Sequence, residues 1–487
     1  MSLKTEATKG VIWVAIERFG QQFLQAAIFI ILARLLTPED FGLVAMLIIF
    51  FAISQSFVDS GLGQALIREK KITDQDRATV FWFNLILSLL FYGLLYISAP
   101  FIAMFYERPE LTNLTRVMGF SVIFYGIAIV QRSELTQMLE FKKQAFAQIP
   151  AVFIAGIVSV TMAYMGYGVW ALAAQYILLA LFSSVLLWVV QPATIILNWN
   201  RESFNRLFGF GYKLLLSGLL NTTYQHIYKL VIGKFFMASV LGYYTQAQNL
   251  KSIASKTIVG IIQKVTYPLL SKTSDNTQRM KGAYRQVIQS SSFMIFPGIL
   301  LLFIFAEPIM ILVLGKQWQP ASPFLQILCV SGMLYHLHAI NLNVLKVLGR
   351  SDLFLKLEII KKVNTTIAII VGLQFGIWGL LIAQVITSYI ALWINTFYTA
   401  RFLDYSIFEQ AKDVFSVLLL AIPMSFIAGV LVYHYSIDSL WMLLFALSGS
   451  AIIYFVTNLV YRTEITNIVI TMFIPYLPDK IKTMLQI

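Results

Sequence analysis

The chain has 487 residues, 59% of them apolar and 12% charged, with 36 Lys and Arg against 23 Asp and Glu for a formal charge of +13. So small a charged fraction is about half that of a typical soluble protein and cannot clothe a soluble globule of this length, so the composition excludes one. The single cysteine, Cys329, excludes an intrachain disulfide or a cysteine metal cluster.

A membrane span needs about 20 mostly apolar residues. Such stretches fall at 10–36, 42–66, 79–105, 112–134, 147–166 and 168–191. A second series lies at 208–236, 240–264, 284–306, 322–346, 354–373 and 376–400, and two more at 413–433 and 439–461. The pattern predicts an all-α integral membrane protein of about fourteen transmembrane helices. The first stretch is too long for a signal h-region and reads as a retained span. The segment 464–487, with Pro475 and Pro478, reads as an interfacial tail.

Orientation follows from Lys and Arg in the short loops. With the N-terminus inside, the inner segments hold Arg68, Lys70, Lys71, Arg77, Lys142, Lys143, Lys264, Lys272, Arg279, Lys281 and Arg285. About 27 of the basic residues fall on this side, against about five outside: Arg34, Arg108, Arg116, Lys234 and Lys316. The expectation is a multi-pass protein with both termini cytoplasmic, whose positive charge needs no nucleic acid to explain it. The loops are too short for a soluble catalytic module.

The sequence also repeats. Ile31-Leu32-Ala33-Arg34 … Phe41-Gly42-Leu43 aligns with Val231-Ile232-Gly233-Lys234 … Leu241-Gly242-Tyr243. Pro100 then aligns with Pro308, and Gly168-Val169-Trp170-Ala171-Leu172 with Gly376-Ile377-Trp378-Gly379-Leu380. Two six-helix halves follow: an N-lobe at 1–200 and a C-lobe at 201–405, with a terminal helix pair at 406–463 and the tail at 464–487. Six helices is an even number, so the halves are parallel repeats, an arrangement that can enclose a central cavity.

Ionisable groups at membrane depth face protein or a wet cavity. Arg18, Gln21, Gln22 and Gln25 share one face of the first helix, beside Glu17, with Arg18 roughly 12 Å deep. Asp59 lies at similar depth on the second helix. An Arg18–Asp59 or Glu17–Arg18 pair makes a partly neutralised site at the inner mouth, or a salt bridge fastening two helices. Asn221, Gln225 and Lys229 repeat the theme on the seventh helix, with Gln225 matching Gln25 in the repeat register. Lys251 sits near the middle of the eighth. Lys229 either faces the cavity or snorkels outward. Such cations suit a phosphate-bearing ligand. Arg132 and Glu134 close the fourth helix as an inner gate or an interfacial pair. His336 and His338 read as helix-to-helix hydrogen bonders.

There is no Walker loop, nucleotide fingerprint or HExxH pair, and the four histidines lack metal spacing. The expectation is a non-enzyme with no cofactor, coupled if at all to a proton or sodium gradient.

Leu32-Ala33-Arg34-Leu35-Leu36-Thr37-Pro38-Glu39-Asp40-Phe41-Gly42-Leu43-Val44-Ala45-Met46 resembles the first outer turn of Wzx-type polysaccharide transporters. Asp59-Ser60-Gly61-Leu62-Gly63-Gln64-Ala65-Leu66-Ile67-Arg68, Gly242-Tyr243-Tyr244-Thr245-Gln246-Ala247, Tyr267-Pro268-Leu269-Leu270-Ser271 and Leu348-Gly349-Arg350-Ser351-Asp352 are similar to other blocks of that family. The resemblance is to the colanic-acid-exporter-like branch of the multidrug/oligosaccharidyl-lipid/polysaccharide exporter superfamily. It implies two lobes around a central cavity and flipping of undecaprenyl-pyrophosphate-linked oligosaccharide across a bacterial inner membrane. It also implies membrane lipids and polysaccharide polymerase or export machinery as partners. By that resemblance Arg18 contacts the pyrophosphate; Gln22, Gln25, Gln225, Lys229 and Lys251, read from their own positions at depth, are the further substrate-binding candidates. Glu17 and Asp59 are the titrating candidates, and the final helix pair shapes a groove for the lipid tail. The rival readings are a cation-coupled multidrug antiporter of the same fold and a membrane-embedded polysaccharide polymerase or glycosyltransferase.

Overall fold

The computed structural model describes residues 3–69, 71–193 and 199–461, with the side chains of 3–12, 14–16, 18, 256–258, 261, 263–265 and 351 outside that description. The expected tail at 464–487 also lies outside it. Among the described residues the regular structure is helical, without strands. Compactness divides the chain into two units, Met1–Thr245 and Gln246–Ile487.

The first unit holds α1 (Leu3–Leu35), α2 (Pro38–Asp59), α3 (Leu62–Arg68), α4 (Asp74–Tyr106), α5 (Glu110–Met118), α6 (Phe120–Ile127) and α7 (Ile129–Gln137). It continues with α8 (Phe141–Tyr164), α9 (Val169–Val190) and α10 (Arg201–Phe235), and the boundary falls inside α11 (Ala238–Lys272). The repeat register divides the chain near 200, whereas packing keeps α10 with α2 and α3.

Local chemistry sets the helix starts. Thr37 caps α2 by accepting the Asp40 N–H at 3.3 Å, while the Asp40 carboxylate accepts the Thr37 N–H at 2.9 Å. Pro38 fills the first helical position, where its missing N–H costs nothing. Thr73 and Asp76 build the same reciprocal cap on α4. The second predicted span breaks at Ser60 and Gly61, both left-handed, and turns into α3. Gly61 has φ +69, and a Cβ there would stand 2.3 Å from the Gly211 carbonyl oxygen of α10. Gly61→Ala is therefore expected to lower the thermal midpoint of purified protein by several degrees, since it combines backbone strain with a clash against main chain. An unchanged midpoint would refute that crossing.

Elsewhere in this unit α1 packs on α8 through Ile28 against Gly156, and α8 on α9 around Ala163, Ala171 and Leu172. At one end Arg108 pairs with Glu39 at 2.9 Å and Lys234 with Glu107 at 2.9 Å. The Lys234 ammonium, donating to Glu107, holds that carboxyl below its ordinary value.

The second unit holds α12 (Thr277–Ile304), α13 (Ala306–Ile309), a π turn at Met310–Leu314, a 3-10 turn at Lys316–Ala321, α14 (Ser322–Gly332) and α15 (Tyr335–Val347). α16 (Ser351–Leu373), α17 (Gly376–Leu403), α18 (Ile407–Leu419), α19 (Ile422–His434) and α20 (Leu440–Tyr461) complete it. Its core gathers Tyr284, Leu337, Ile340 and Tyr405 in one cluster and Phe293, Phe305, Met424 and Tyr454 in another. Tyr454 donates its hydroxyl to the Phe293 carbonyl at 2.9 Å, tying α20 to α12. Gly168, which caps α9, and Gly376, which opens α17, both have positive φ.

Nine helical runs among the described residues are long and apolar enough to cross a membrane, and α18 with α19, bent by 47°, makes a tenth. The chain is a multi-pass membrane protein. The expected fourteen spans are not all recovered by length and apolarity, because α1, α10, α11 and α16 interleave polar and charged residues with apolar ones. Of α1, only Phe19–Leu35 counts as an apolar stretch.

Candidate functional site

Three of the residues singled out for charge at depth converge in the first unit. A pocket of about 240 Å³ is lined by Glu17 and Gln21 of α1, Arg132 of α7, Gln144 and Gln148 of α8, and Leu187 of α9. The Arg132 guanidinium lies 5.6 Å from the centre of the Tyr125 ring. Asp59, half-buried at the end of α2, lies against the backbone of Gly63 and stands within electrostatic reach of Arg132. Gly63 is what lets α3 close there, because a Cβ would stand 2.9 Å from Asp59 Oδ1 and 3.0 Å from Ser133 Oγ.

The glutamines are held in place. Gln144 donates to Thr136 Oγ1 at 2.8 Å and Gln148 to Ser183 Oγ at 2.6 Å. Among the described residues the result is a polar chamber with one guanidinium, one lining carboxylate and a second carboxylate close by. Carboxylates and a guanidinium gathered in this way can exchange a proton or hold a small cation.

Arg132 and Glu134 do not face each other. Two positions apart on a helix, they point to nearly opposite sides. Arg132 turns to the pocket, while the buried Glu134 takes the Arg77 guanidinium of α4 and, at 3.4 Å, the Gln191 amide. The remaining candidates are spread out. The side chain of Arg18 lies outside the described residues. Gln22 and Lys229 are half-buried, and Gln25 and Gln225 are exposed at their matching positions. Lys251, in the second unit, lays its stem on α14: a Cβ on Gly332 would stand 3.0 Å from Lys251 Cγ.

His336 and His338 make interhelical bonds. His336 Nε2 lies 2.8 Å from Ser292 Oγ. His338 lies 3.2 Å from both Ser388 Oγ and Asn395 Nδ2. Asn395 can only donate to Nδ1, which leaves the proton on Nε2 for Ser388.

Sequence reasoning passed over Gln144 and Gln148, whose four-residue spacing on one face of α8 was a readable signal. It also passed over the clasp of the second unit, where Arg285 holds Asp413 through two bonds of 2.7 Å. Beside that clasp, α12, α15, α17 and α18 enclose an apolar groove of about 420 Å³ lined by Phe296, Leu337, Trp393, Val414, Phe415 and Leu418, among others.

The fold is that of a known class of membrane transporter. It matches the lipid II flippase MurJ in an inward closed conformation with a TM-score of 0.76 at 15% identity, covering 93% of this chain and 99% of that one. It matches an inward-facing multidrug resistance transporter of the MATE family of the MOP superfamily at 0.62 and 16%, covering 82% and 99%. The family model described as "Polysaccharide biosynthesis protein" matches residues 31–323, more than half the chain, and the chain belongs to that family. Among its relatives are the teichuronic acid biosynthesis protein TuaB of Bacillus subtilis, 26% identical over 72% of this chain and 73% of that one. The lipopolysaccharide biosynthesis protein WzxC of Escherichia coli is 24% identical over 81% and 82%. The succinoglycan biosynthesis transport protein ExoT of Rhizobium meliloti is 25% identical over 75% and 74%.

Proposed function

We propose that this protein is a flippase for an undecaprenyl-pyrophosphate-linked oligosaccharide, working by alternating access in a bacterial inner membrane with both termini cytoplasmic. The observation that carries the reading is the coincidence of polysaccharide-biosynthesis family membership with a fold shared along 93% of the chain with a lipid II flippase. Such a carrier moves a polar head through about 30 Å of hydrocarbon. It needs polar side chains at depth for the head and an apolar surface for the tail. The groove beside α18 supplies an apolar surface of that kind in the second unit. The pocket of Glu17, Arg132 and nearby Asp59 is the coupling site for a proton or sodium ion, and Lys251, in the second unit, contacts the phosphate-bearing head. The work is transport without catalytic chemistry, in partnership with polymerase or export machinery.

The test is flipping of a defined lipid-linked oligosaccharide in vesicles reconstituted with purified protein, under imposed proton or sodium gradients. Arg132→Ala and Glu17→Gln are expected to remove the gradient's acceleration while leaving slow, downhill flipping. Lys251→Ala is expected to reduce both. Full gradient response in the first pair would remove the coupling site. Transport of cationic drugs without any lipid-linked sugar would replace the flippase reading by the antiporter one.

A further inference from the structure

A second polar hollow opens in the first unit and shares no lining residue with the chamber around Arg132. It forms where α3 crosses α10. Gly61 and Gly211 meet there, and a Cβ on Gly211 would stand 2.7 Å from the Ser60 carbonyl oxygen. Beside the crossing, residues of α3, of the loop after it and of α10 line an open hollow of about 740 Å³. Its lining carries Arg68, Lys71, Arg206 and Lys213 against one carboxylate, Glu69. Topology-setting lysines and arginines need only project into water. These come from α3, the loop after it and two turns of α10, and they converge on one space.

Their positions are fixed to different degrees. Arg206 Nη2 donates to the buried Asp76 at 2.5 Å, and its Nε lies 3.6 Å from Glu69. The Arg68 guanidinium stacks 4.5 Å from the centre of the Phe210 ring, which keeps its edge available to a ligand. Lys71 and Lys213 are exposed and can swing toward whatever enters. The Arg68 fork, the remaining N–H groups of Arg206 and two ammonium groups match a ligand with several anionic oxygens on adjacent centres better than a lone carboxylate.

The geometry points to a binding site for a diphosphate group in this hollow, outside the chamber described above. The diphosphate arrives either as a free anion or as the head of a polyprenyl lipid; the recognition chemistry is the same. The inference does not rest on the flippase reading, because binding alone tests it.

Purified full-length protein is titrated with inorganic pyrophosphate by calorimetry, and with a polyprenyl diphosphate by native mass spectrometry. The variant is Arg68→Gln with Lys213→Gln, which leaves the Arg206–Asp76 bond intact. The control removes two charges from the second unit, Lys346→Gln with Arg401→Gln. At physiological salt, where charges are screened beyond about 8 Å, the pocket variant is expected to bind at least one probe about tenfold more weakly and the control within about twofold of wild type. Weakening for pyrophosphate alone assigns the free anion, weakening for the lipid alone assigns the headgroup, and both together assign the shared group. Lys71→Gln, in the loop, gives the same reading should the double variant fail to fold. Wild-type binding by the variants, equal loss in the control, or no binding of either probe by the wild-type protein overturns the site.

Discussion

Gly42→Ala is expected to lower the thermal midpoint sharply and to stop transport in vesicles. α2 and the start of α11 cross at their first turns, and a Cβ on Gly42 would stand 1.8 Å from the Ala238 carbonyl oxygen. The contact is reciprocal: a Cβ on Gly242 would stand 2.0 Å from the Pro38 carbonyl oxygen. Non-bonded atoms sit about 3.5–4.0 Å apart at best, so either alanine must push the two backbones apart by well over an ångström. No rotamer relieves it, because the opposing atoms are main chain. Overpacking of this kind costs about 1–3 kcal/mol and more where backbones cannot yield. The pairs Arg108–Glu39 and Lys234–Glu107, which clasp the same end, would be strained as well. Gly242→Ala should behave alike, and the double variant should be less than additive, since one alanine has already parted the helices. Wild-type melting and transport in both single variants would remove the crossing from this account.

That crossing was half legible in the sequence. The register equating Gly42 with Gly242 marked both as equivalent, but only packing shows that each fits against the start of the other's helix. Helix starts are set by local chemistry, Thr37 and Thr73 each capping three residues before an aspartate, but the apolar runs place those starts at 42 and 79, whereas the helices begin at Pro38 and Asp74. Glu17, Asp59 and Arg132 stood out because charge is costly in apolar runs. Their gathering was not legible, since α1, α2 and α7 are brought together by contacts far apart in sequence. Gln144 was lost to a boundary error, for its helix was expected from 147 and begins at Phe141. Arg68 and Lys71 were read as topological charge, because nothing local announces that α10 will fold over them. The missing spans fail for a physical reason too: α1, α10, α11 and α16 carry the polar stripes, and averaging hydropathy along a helix hides an apolar face behind a polar one.

The Arg77–Glu134 pair supplies the other large effect. Glu134 has 1% of its side chain exposed and Arg77 24%, so the carboxylate has little water to fall back on. Asp74 also engages Arg77, at 2.5 Å, from the exposed side of α4. Arg77→Ala removes the cation and leaves the buried carboxylate with the Gln191 amide at 3.4 Å as its remaining side-chain donor among the described residues. Stranding a buried charge in this way costs about 3–5 kcal/mol, whereas replacing both partners by apolar groups is often neutral. Glu134→Gln keeps an acceptor for Arg77 and loses only the charge. The expected order of thermal midpoints is therefore wild type near Arg77→Leu/Glu134→Leu, then Glu134→Gln, with Arg77→Ala lowest. Because α4 and α7 are joined at this point, the order also reports whether the pair holds those helices or merely neutralises a charge. A double variant that melts with Arg77→Ala would mean the bond itself fastens the helices; an Arg77→Ala protein that melts with wild type would mean that Glu134 is not buried as a carboxylate at all.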